Sequence, residues 1–262
     1  MVEHFEQNGF TIVRGALSAD LVSQLATDLA ALVELARQHG GLVDASTGAG
    51  PVWQIVSPHH HAPIALEALR QGHIAQTIRE CLDCDTVQLL QDAVVVKPAR
   101  IGGAIDWHQD HTYTGFLRPA KLLSIRIALG PEDAEHGGLR VLSGSHRWGI
   151  ARHDGFATTA LQTGELDAAR EVVGDAVIEA AKRQVCLKPG DISLHHCRTF
   201  HGSSENTSDV DRLTLVAHVF DGRCQLDAAR LPADHAARFS TLADGTLDPD
   251  RFPPITIRPS ER

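Results

Sequence analysis

The strongest constraint on the fold is a strict alternation in the middle of the chain. The apolar residues Leu123, Ile125, Ile127 and Leu129 are separated by Ser, Arg and Ala. A period of two is typical of a β-strand with one apolar face. Alternating or β-branched segments predict further strands at 86–97, 139–142, 184–187, 192–195 and 212–220. So many short strands in a chain of 262 residues predict a mostly antiparallel sheet assembly.

Helical periodicity precedes and interrupts these strands. After Ser18, a predicted N-cap, leucines recur at three and four residues until Gly40 and Gly41 end the pattern. Shorter helices are predicted at 63–70 and 74–81, and a helix inserted between strands at 165–182. The predicted fold class is mainly β with flanking α-helices. We expect a single domain over 1–262, with N-terminal helices at about 18–81, a core at about 86–220 and a C-terminal extension.

Composition disfavours several classes of function. A net charge of -9 and an aromatic content of 5% argue against binding to nucleic acid, which needs clustered cations or stacking surfaces. The N-terminus lacks the pattern of a secretory signal, and no apolar stretch approaches the roughly 18 residues that cross a bilayer, so a cytoplasmic location is predicted. Five cysteines form no disulfide pattern, and the pair Cys81 and Cys84 lacks a redox or zinc context.

Sixteen histidines point to metal chemistry, and spacing selects among them. His108 and Asp110 are two residues apart in an extended segment, so their side chains face the same way. His201, which is followed by Gly and Ser, is the strongest candidate for a third ligand; the adjacent His195 and His196 face opposite ways and lack that context. Two imidazoles and one carboxylate form the facial triad that holds non-haem Fe(II) and leaves three positions open.

An anion-binding group is expected near such a metal, because a bidentate 2-oxo acid has a far carboxylate to be held. Arg212 lies eleven residues after His201, at the start of a predicted strand. Its planar guanidinium matches a carboxylate with two parallel hydrogen bonds. A surface ion pair with Asp209 or Asp211 is the alternative interpretation.

At these residues the sequence resembles the phytanoyl-CoA dioxygenase-like family of Fe(II)/2-oxoglutarate-dependent oxygenases. The resemblance covers most of the chain and rests on the WHQD segment at 107–110, GGLRVLSGSH at 137–146 and HGSSENTS at 201–208, followed by Arg212. It implies a double-stranded β-helix, or cupin-like jelly roll, that forms one Fe(II)/2-oxoglutarate-dependent dioxygenase domain.

The resemblance also implies roles for individual residues. The three candidate ligands would bind Fe(II), with 2-oxoglutarate and O2 as cosubstrates, and Arg212 would pair with the distal carboxylate of 2-oxoglutarate. Ser203 matches a position that helps to bind this carboxylate, and Gln91 is similar to a glutamine that faces the active site in some members. Asp110 favours hydroxylation over halogenation, because related halogenases have Ala or Gly there.

The substrate pocket is less constrained by the sequence. Its candidates are Trp53, Gln54, His111, Tyr113 and Arg126. Trp53 and Tyr113 suit the core or the rim equally well, and Arg126 either faces the pocket, where it could hold an anionic group, or faces solvent. The run at 59–61, three consecutive histidines, is predicted to be a solvated loop or to border the substrate entrance. His146 is predicted to make a structural hydrogen bond.

The predicted function is oxidation, by hydroxylation or otherwise, of a small organic molecule such as a metabolite or natural-product intermediate, with release of succinate and CO2. The alternatives are a cupin-like metal-dependent hydrolase or isomerase and a binding protein that keeps the fold without turnover. Arg212 argues against the hydrolase, which needs no carboxylate clamp, and the intact candidate triad argues against the binding protein. Partners are expected to be a small-molecule substrate, with neither nucleic acid nor membrane, in a monomer or homodimer.

Overall fold

A computed structural model describes residues 1–149, 165–231 and 239–255 of the chain. The described helices are α1 Val2–Asn8, α2 Ala19–His39, α3 Ile64–Leu69, α4 Gly72–Leu82, α5 His111–Thr114, α6 Glu165–Val173 and α7 Asp175–Ala181. The described strands are β1 Phe10–Val13, β2 Val43–Asp44, β3 Trp53–Val56, β4 Val87–Lys97, β5 Ile105–His108, β6 Leu117–Arg118, β7 Leu122–Ala128, β8 Leu139–Leu142, β9 Lys182–Gln184, β10 Ile192–His196, β11 His201–Ser203, β12 Arg212–Asp221 and β13 Gln225–Leu226.

Two antiparallel sheets form the body of the protein. The larger has seven strands in the order β1-β10-β7-β12-β4-β3-β2, and the smaller has four in the order β5-β11-β8-β9. Strand β7, which contains the alternating segment, lies inside the larger sheet between β10 and β12. This arrangement is the predicted mainly-β jelly roll with flanking helices.

Helices cover the outer face of the larger sheet. Leu25 and Leu29 of α2 and Ile78 of α4 belong to one buried apolar cluster with Ile125 and Ile127 of β7. Burying each large aliphatic side chain contributes about 1.5–3 kcal/mol, so this layer holds the helices on the sheet. Because side chains alternate along a strand, Arg126, between Ile125 and Ile127, points into the space between the two sheets.

Several predicted elements are confirmed close to their expected limits. The Ser18 hydroxyl accepts a hydrogen bond from the Leu21 backbone N–H, and Gly40 ends α2 in the left-handed conformation, with φ 73°. The helices at 63–70 and 74–81 are observed as α3 and α4, and the strand at 139–142 as β8. These segments carried their own caps or periodicity, so local sequence was sufficient to define them.

Other elements differ from prediction. The helix expected at 165–182 is two helices, α6 and α7, because Gly174 at φ 79° interrupts the hydrogen-bond ladder. The strand expected at 184–187 is β9, which ends at Gln184, while Leu187 forms an isolated bridge with Glu132. Strands β1, β2 and β3 were not predicted, since they have two to four residues each and carry too short a pattern.

The triple histidine is only partly a solvated loop. Pro58–His60 form a short 3-10 helix, and His59 Nδ1 lies 2.6 Å from Asp92 Oδ1 with its side chain 12% exposed. His60 and His61 are exposed, as expected. The predicted hydrogen bond of His146 is confirmed, because its Nε2 contacts the Glu6 carbonyl at 3.0 Å. Cys81 and Cys84 are free thiols. Within the described residues, every helix is too short or too polar to traverse a bilayer.

Candidate metal centre

Three side chains with metal-ligating atoms converge in the space between the sheets. His108 ends β5, Asp110 follows it, and His201 begins β11; all three are buried. One ligand atom from each lies within 4.8 Å of the others. Asp110 Oδ1 is 3.7 Å from His108 Nε2 and 3.5 Å from His201 Nε2. The fold therefore brings together the set that the sequence predicted.

Strand pairing places the two histidines opposite each other. His201 is the register partner of His108 in the β5–β11 ladder. The intervening residue of the HGS motif must be glycine, because a Cβ on Gly202 would lie 2.7 Å from the Ile105 carbonyl oxygen. Close approach of β11 to β5 thus depends on the absence of a side chain at this position.

Backbone carbonyls fix the orientation of both imidazoles. His108 Nδ1 donates to the Asp106 carbonyl at 2.8 Å, and His201 Nδ1 donates to the Thr199 carbonyl at 3.0 Å. A ring whose Nδ1 carries the proton presents the lone pair of Nε2, which is the form that binds a metal. Burial lowers the pKa of His201 well below its usual value, although Asp110 opposes this shift. Burial thus favours the neutral form of His201, which is the form that acts as a ligand.

Asp110 supplies the negative charge of the centre. Burial acts to raise its pKa, but the imidazoles of His201, His195 and His218 outweigh burial and hold the pKa well below its usual value. Asp110 is thus a carboxylate. Two imidazoles and one carboxylate, buried and converging, fit a divalent first-row metal of the Fe(II) type.

A cluster of cations lies at the other end of the interior. Arg212 and Lys97 are register partners on β12 and β4, and both are almost completely buried. Arg212 Nη1 donates to the Gly137 carbonyl, while its Nε and Nη2 have no hydrogen-bond partner among the described residues. Lys97 Nζ donates to Ser203 Oγ at 2.7 Å and to the Ser204 carbonyl. Burial, reinforced by neighbouring arginines, lowers the pKa of Lys97 to about 6 and that of Arg212 to about 9.

One buried acid beside this cluster, Glu132, already has its own partners. Glu132 pairs with Arg126 at 3.0 Å and accepts a hydrogen bond from Thr214 Oγ1 at 2.6 Å. Arg212 forms no ion pair with a described residue. Because unsatisfied buried donors cost about 1–3 kcal/mol each, the free edge of Arg212 is a site that an anion would stabilise.

A cavity of about 420 Å³ lies beside the triad, whose three residues line it. Besides the triad, five predicted residues line it: Gln54, Gln91, Tyr113, Arg126 and Ser203. Further lining residues that the sequence reasoning missed include Leu90, Phe116, Val216, His218 and Phe239. Arg212 lies behind this lining, and Lys97 reaches it through Ser203.

Two predicted pocket residues do not line the cavity, which corrects the prediction. Trp53 packs against the apolar cluster under the helices, because Gln54, its neighbour on β3, takes the inward face. His111 is buried at the start of α5, where its backbone N–H donates to the Cys197 carbonyl at 2.8 Å. Gln91 lies six residues from Lys97 along β4, away from the cations, so its place favours substrate contact over contact with the distal carboxylate.

Alternation along the predicted strands could have identified Lys97 and His218 as inward-facing residues. Alternation from Arg212 along its strand puts Thr214, Val216 and His218 on the same inward face. Lys97 ends a run of three valines, which is an unusual place for a lysine unless it faces a polar interior.

The fold and site together define a jelly-roll protein with a buried facial triad. The phytanoyl-CoA dioxygenase family model matches residues 5–214, and the chain belongs to this family. The predicted family is thereby confirmed.

The chain is also similar to curated proteins, at low sequence identity. The chain is 26% identical over 170 residues to the probable alpha-ketoglutarate-dependent hypophosphite dioxygenase of Stutzerimonas stutzeri, covering 62% of this chain and 55% of that protein. It is 24% identical over 221 residues to the ectoine dioxygenase of Sphingopyxis alaskensis, covering 79% and 71%. The match thus spans little more than half the length of the hypophosphite enzyme.

Solved structures share the fold. The non-heme alpha-ketoglutarate-dependent carbocyclase SnoK from nogalamycin biosynthesis superimposes with a TM-score of 0.75 at 20% identity, covering 97% of this chain and 95% of that one. The Fe-bound ectoine dioxygenase EctD of S. alaskensis gives a TM-score of 0.68 at 20% identity, covering 86% and 77%. These likenesses confirm the predicted jelly-roll fold class.

Proposed function

We propose that this protein is an Fe(II)- and 2-oxoglutarate-dependent dioxygenase that hydroxylates or otherwise oxidises a small organic molecule and releases succinate and CO2. The observation that carries the proposal is a buried His108–Asp110–His201 triad on the wall of a cavity, with the unpartnered edge of Arg212 behind the lining of the same cavity. A 2-oxo acid needs both, because one end chelates the metal and the other is a carboxylate. A hydrolase would leave Arg212 without a role.

The contributions of the chain follow from this geometry. His108, Asp110 and His201 would hold Fe(II) and leave three positions open, and the bound metal supplies chelation of the 2-oxo acid and activation of O2. Arg212 would bind the distal carboxylate of 2-oxoglutarate through its free Nε and Nη2. Lys97 adds a second donor beside it, oriented by Ser203. Burial of all these groups excludes water and strengthens their interactions with the cosubstrate.

We place the substrate at the end of the cavity near the triad. Gln54, Gln91 and His218 offer hydrogen bonds there, and Phe116 and Phe239 offer apolar surface. Such a wall favours recognition by hydrogen bonds and apolar contact over recognition by charge. A cytoplasmic location and a monomeric or homodimeric state stay predictions.

Succinate formation tests the proposed function. Purified protein with Fe(II), 2-oxoglutarate and O2 is expected to release succinate, slowly alone and faster with a substrate, and Asp110→Ala should lower the rate at least about 100-fold by removing the anionic ligand. Asp28→Ala changes an exposed aspartate of α2 and serves as the matched control. Calorimetry measures metal and 2-oxoglutarate binding in parallel. Failure of the wild type to bind either, together with equal behaviour of Asp110→Ala, would refute the proposal.

A further inference from the structure

A row of polar side chains crosses four strands of the larger sheet beside Asp110. Ser124 on β7 is the register partner of His195 on β10 and of His218 on β12, and His218 is the partner of Gln91 on β4. Directly paired residues face the same side of a sheet. The row therefore points inward as a unit, toward the space occupied by the triad.

The two oxygens of Asp110 have different surroundings. Oδ1 faces the Nε2 atoms of His108 and His201 at 3.7 and 3.5 Å. Oδ2 faces the row instead, where Ser124 Oγ donates a hydrogen bond to it and the Nε2 atoms of His195 and His218 lie 3.4 and 3.7 Å away. One carboxylate oxygen is thus directed toward the ligand atoms, while the other is surrounded by groups of the sheet.

Burial indicates that Ser124 and His195, the two buried members of the row, serve Asp110. Ser124 is 1% exposed and His195 is 2% exposed. The Ser124 hydroxyl donates a hydrogen bond to Asp110. Neither ring nitrogen of His195 has a hydrogen-bond partner among the described residues, and its Nε2 faces the Asp110 carboxylate at 3.4 Å. Interior strand positions are usually apolar, because a buried polar group costs about 1–3 kcal/mol unless it is satisfied. The carboxylate is the group on which these polar side chains converge.

We propose that Ser124, His195 and His218 form a carboxylate clamp that holds Asp110 Oδ2 and presents Oδ1 alone to the metal. They are positioning residues, and the inference rests on the proposed function. A carboxylate that turned to bind through both oxygens would occupy one more coordination position. The triad would then leave two open positions, too few for a bidentate 2-oxo acid and O2 together. The clamp keeps the third position available.

Metal binding to the whole protein tests the clamp without turnover. Co(II) is the probe, with affinity measured by calorimetry and coordination followed by visible absorption, whose intensity falls as the coordination number rises. Ser124→Ala and His218→Leu are expected to weaken Co(II) binding by roughly 10- to 100-fold, as loss of groups that orient a ligand does. The remaining bound Co(II) should absorb more weakly, because Oδ2 is free to join Oδ1.

Two controls separate positioning from packing. Ser193→Ala removes a hydroxyl from β10 that is equally buried but has no hydrogen-bond partner among the described residues, so wild-type affinity is expected. His218→Gln keeps an N–H donor near Oδ2 and should recover most of the affinity that His218→Leu loses. Thermal unfolding of the metal-free variants checks that each one folds.

The outcomes distinguish this inference from the function on which it rests. If Asp110→Ala abolishes Co(II) binding while Ser124→Ala and His218→Leu bind as the wild type does, the clamp is overturned and the proposed function stands. If Ser193→Ala weakens binding as much as Ser124→Ala, general packing explains the effect and the clamp is also overturned. If the wild type shows no binding that depends on Asp110, both proposals are overturned.

Discussion

At the scale of single residues, Lys97 is a buried lysine without an oppositely charged partner among the described residues. It is completely buried, its Nζ bonds to a hydroxyl and a carbonyl, and it forms no ion pair with a described residue. Burial and the nearby charge of Arg212 lower its pKa to about 6, so near neutral pH the metal-free and cosubstrate-free protein holds it mostly uncharged. A carboxylate bound beside it would favour the ammonium form, which couples binding of the cosubstrate to uptake of a proton.

The free energy of unfolding of the ligand-free protein should depend on pH because of Lys97. Between pH 6 and 10, Lys97 is protonated in the unfolded chain and largely unprotonated in the folded chain. The free energy of unfolding therefore decreases as pH falls, by up to about 1.4 kcal/mol per pH unit, and this decrease levels off below pH 6. Lys97→Met removes this dependence. Urea unfolding of both proteins from pH 6.5 to 9 measures the difference, which should grow toward low pH. Parallel pH profiles would show that Lys97 keeps its ordinary pKa.

At the scale of elements, the features that lie within one segment of sequence were the predictable ones. The alternation of β7 and the capped helix α2 each lie within one segment and were predictable. His108 and Asp110 do converge as the HxD spacing predicted, but β5 ends at His108 and Asp110, the N-cap residue of α5, has a helical backbone conformation, so strand alternation is not what brings them together. The sequence left Trp53 open between core and pocket, because its strand has four residues and pairs at a distance in sequence. The row beside Asp110 could not be predicted, because its members come from four strands whose register exists only in the assembled sheet.

The close pairing of β5 and β11 leads to a prediction about Gly202. Gly202→Ala would force β11 away from the Ile105 carbonyl and separate His201 from His108, at a cost of about 1–3 kcal/mol in stability. Co(II) affinity should fall at least roughly 10-fold, since a small displacement of one ligand misaligns all three. Gly130→Ala is the matched control, because a Cβ there meets nothing within 4 Å. Equal metal affinity in the two variants would contradict this account of the HGS glycine.

At the scale of the whole molecule, the site is divided between the two sheets. The smaller sheet contributes His108 and His201, and the larger contributes Arg212, Lys97 and the row beside Asp110. Neither sheet holds a complete site, so ligand geometry depends on how the sheets pack. The buried arginines Arg126 and Arg212 also contrast with the net charge of -9 of the chain. Positive charge is concentrated where the cosubstrate is proposed to bind, and the rest of the molecule repels polyanions.

This distribution of charge predicts the class of substrate. In the described part of the cavity wall, the cation is Arg126, already paired with Glu132, and the remaining polar groups outside the triad are neutral amides, hydroxyls and His218. The cavity of about 420 Å³ must also hold 2-oxoglutarate, so the nucleotide part of an acyl-CoA thioester would have to lie outside it. We therefore expect compact, uncharged molecules with hydrogen-bonding oxygens to stimulate succinate release, and acyl-CoA thioesters to have no effect.

A matched panel of metabolites and their charged derivatives measures this preference, with the rate of succinate release as the readout. Gln91→Leu should lower kcat/KM for an active uncharged substrate by about 10-fold, the effect of losing one or two neutral hydrogen bonds, and leave 2-oxoglutarate affinity unchanged. Gln76→Leu, at an exposed position of α4, controls for the substitution itself. Stimulation by acyl-CoA thioesters, or a preference for anionic over neutral members of the panel, would show that recognition depends on charge instead.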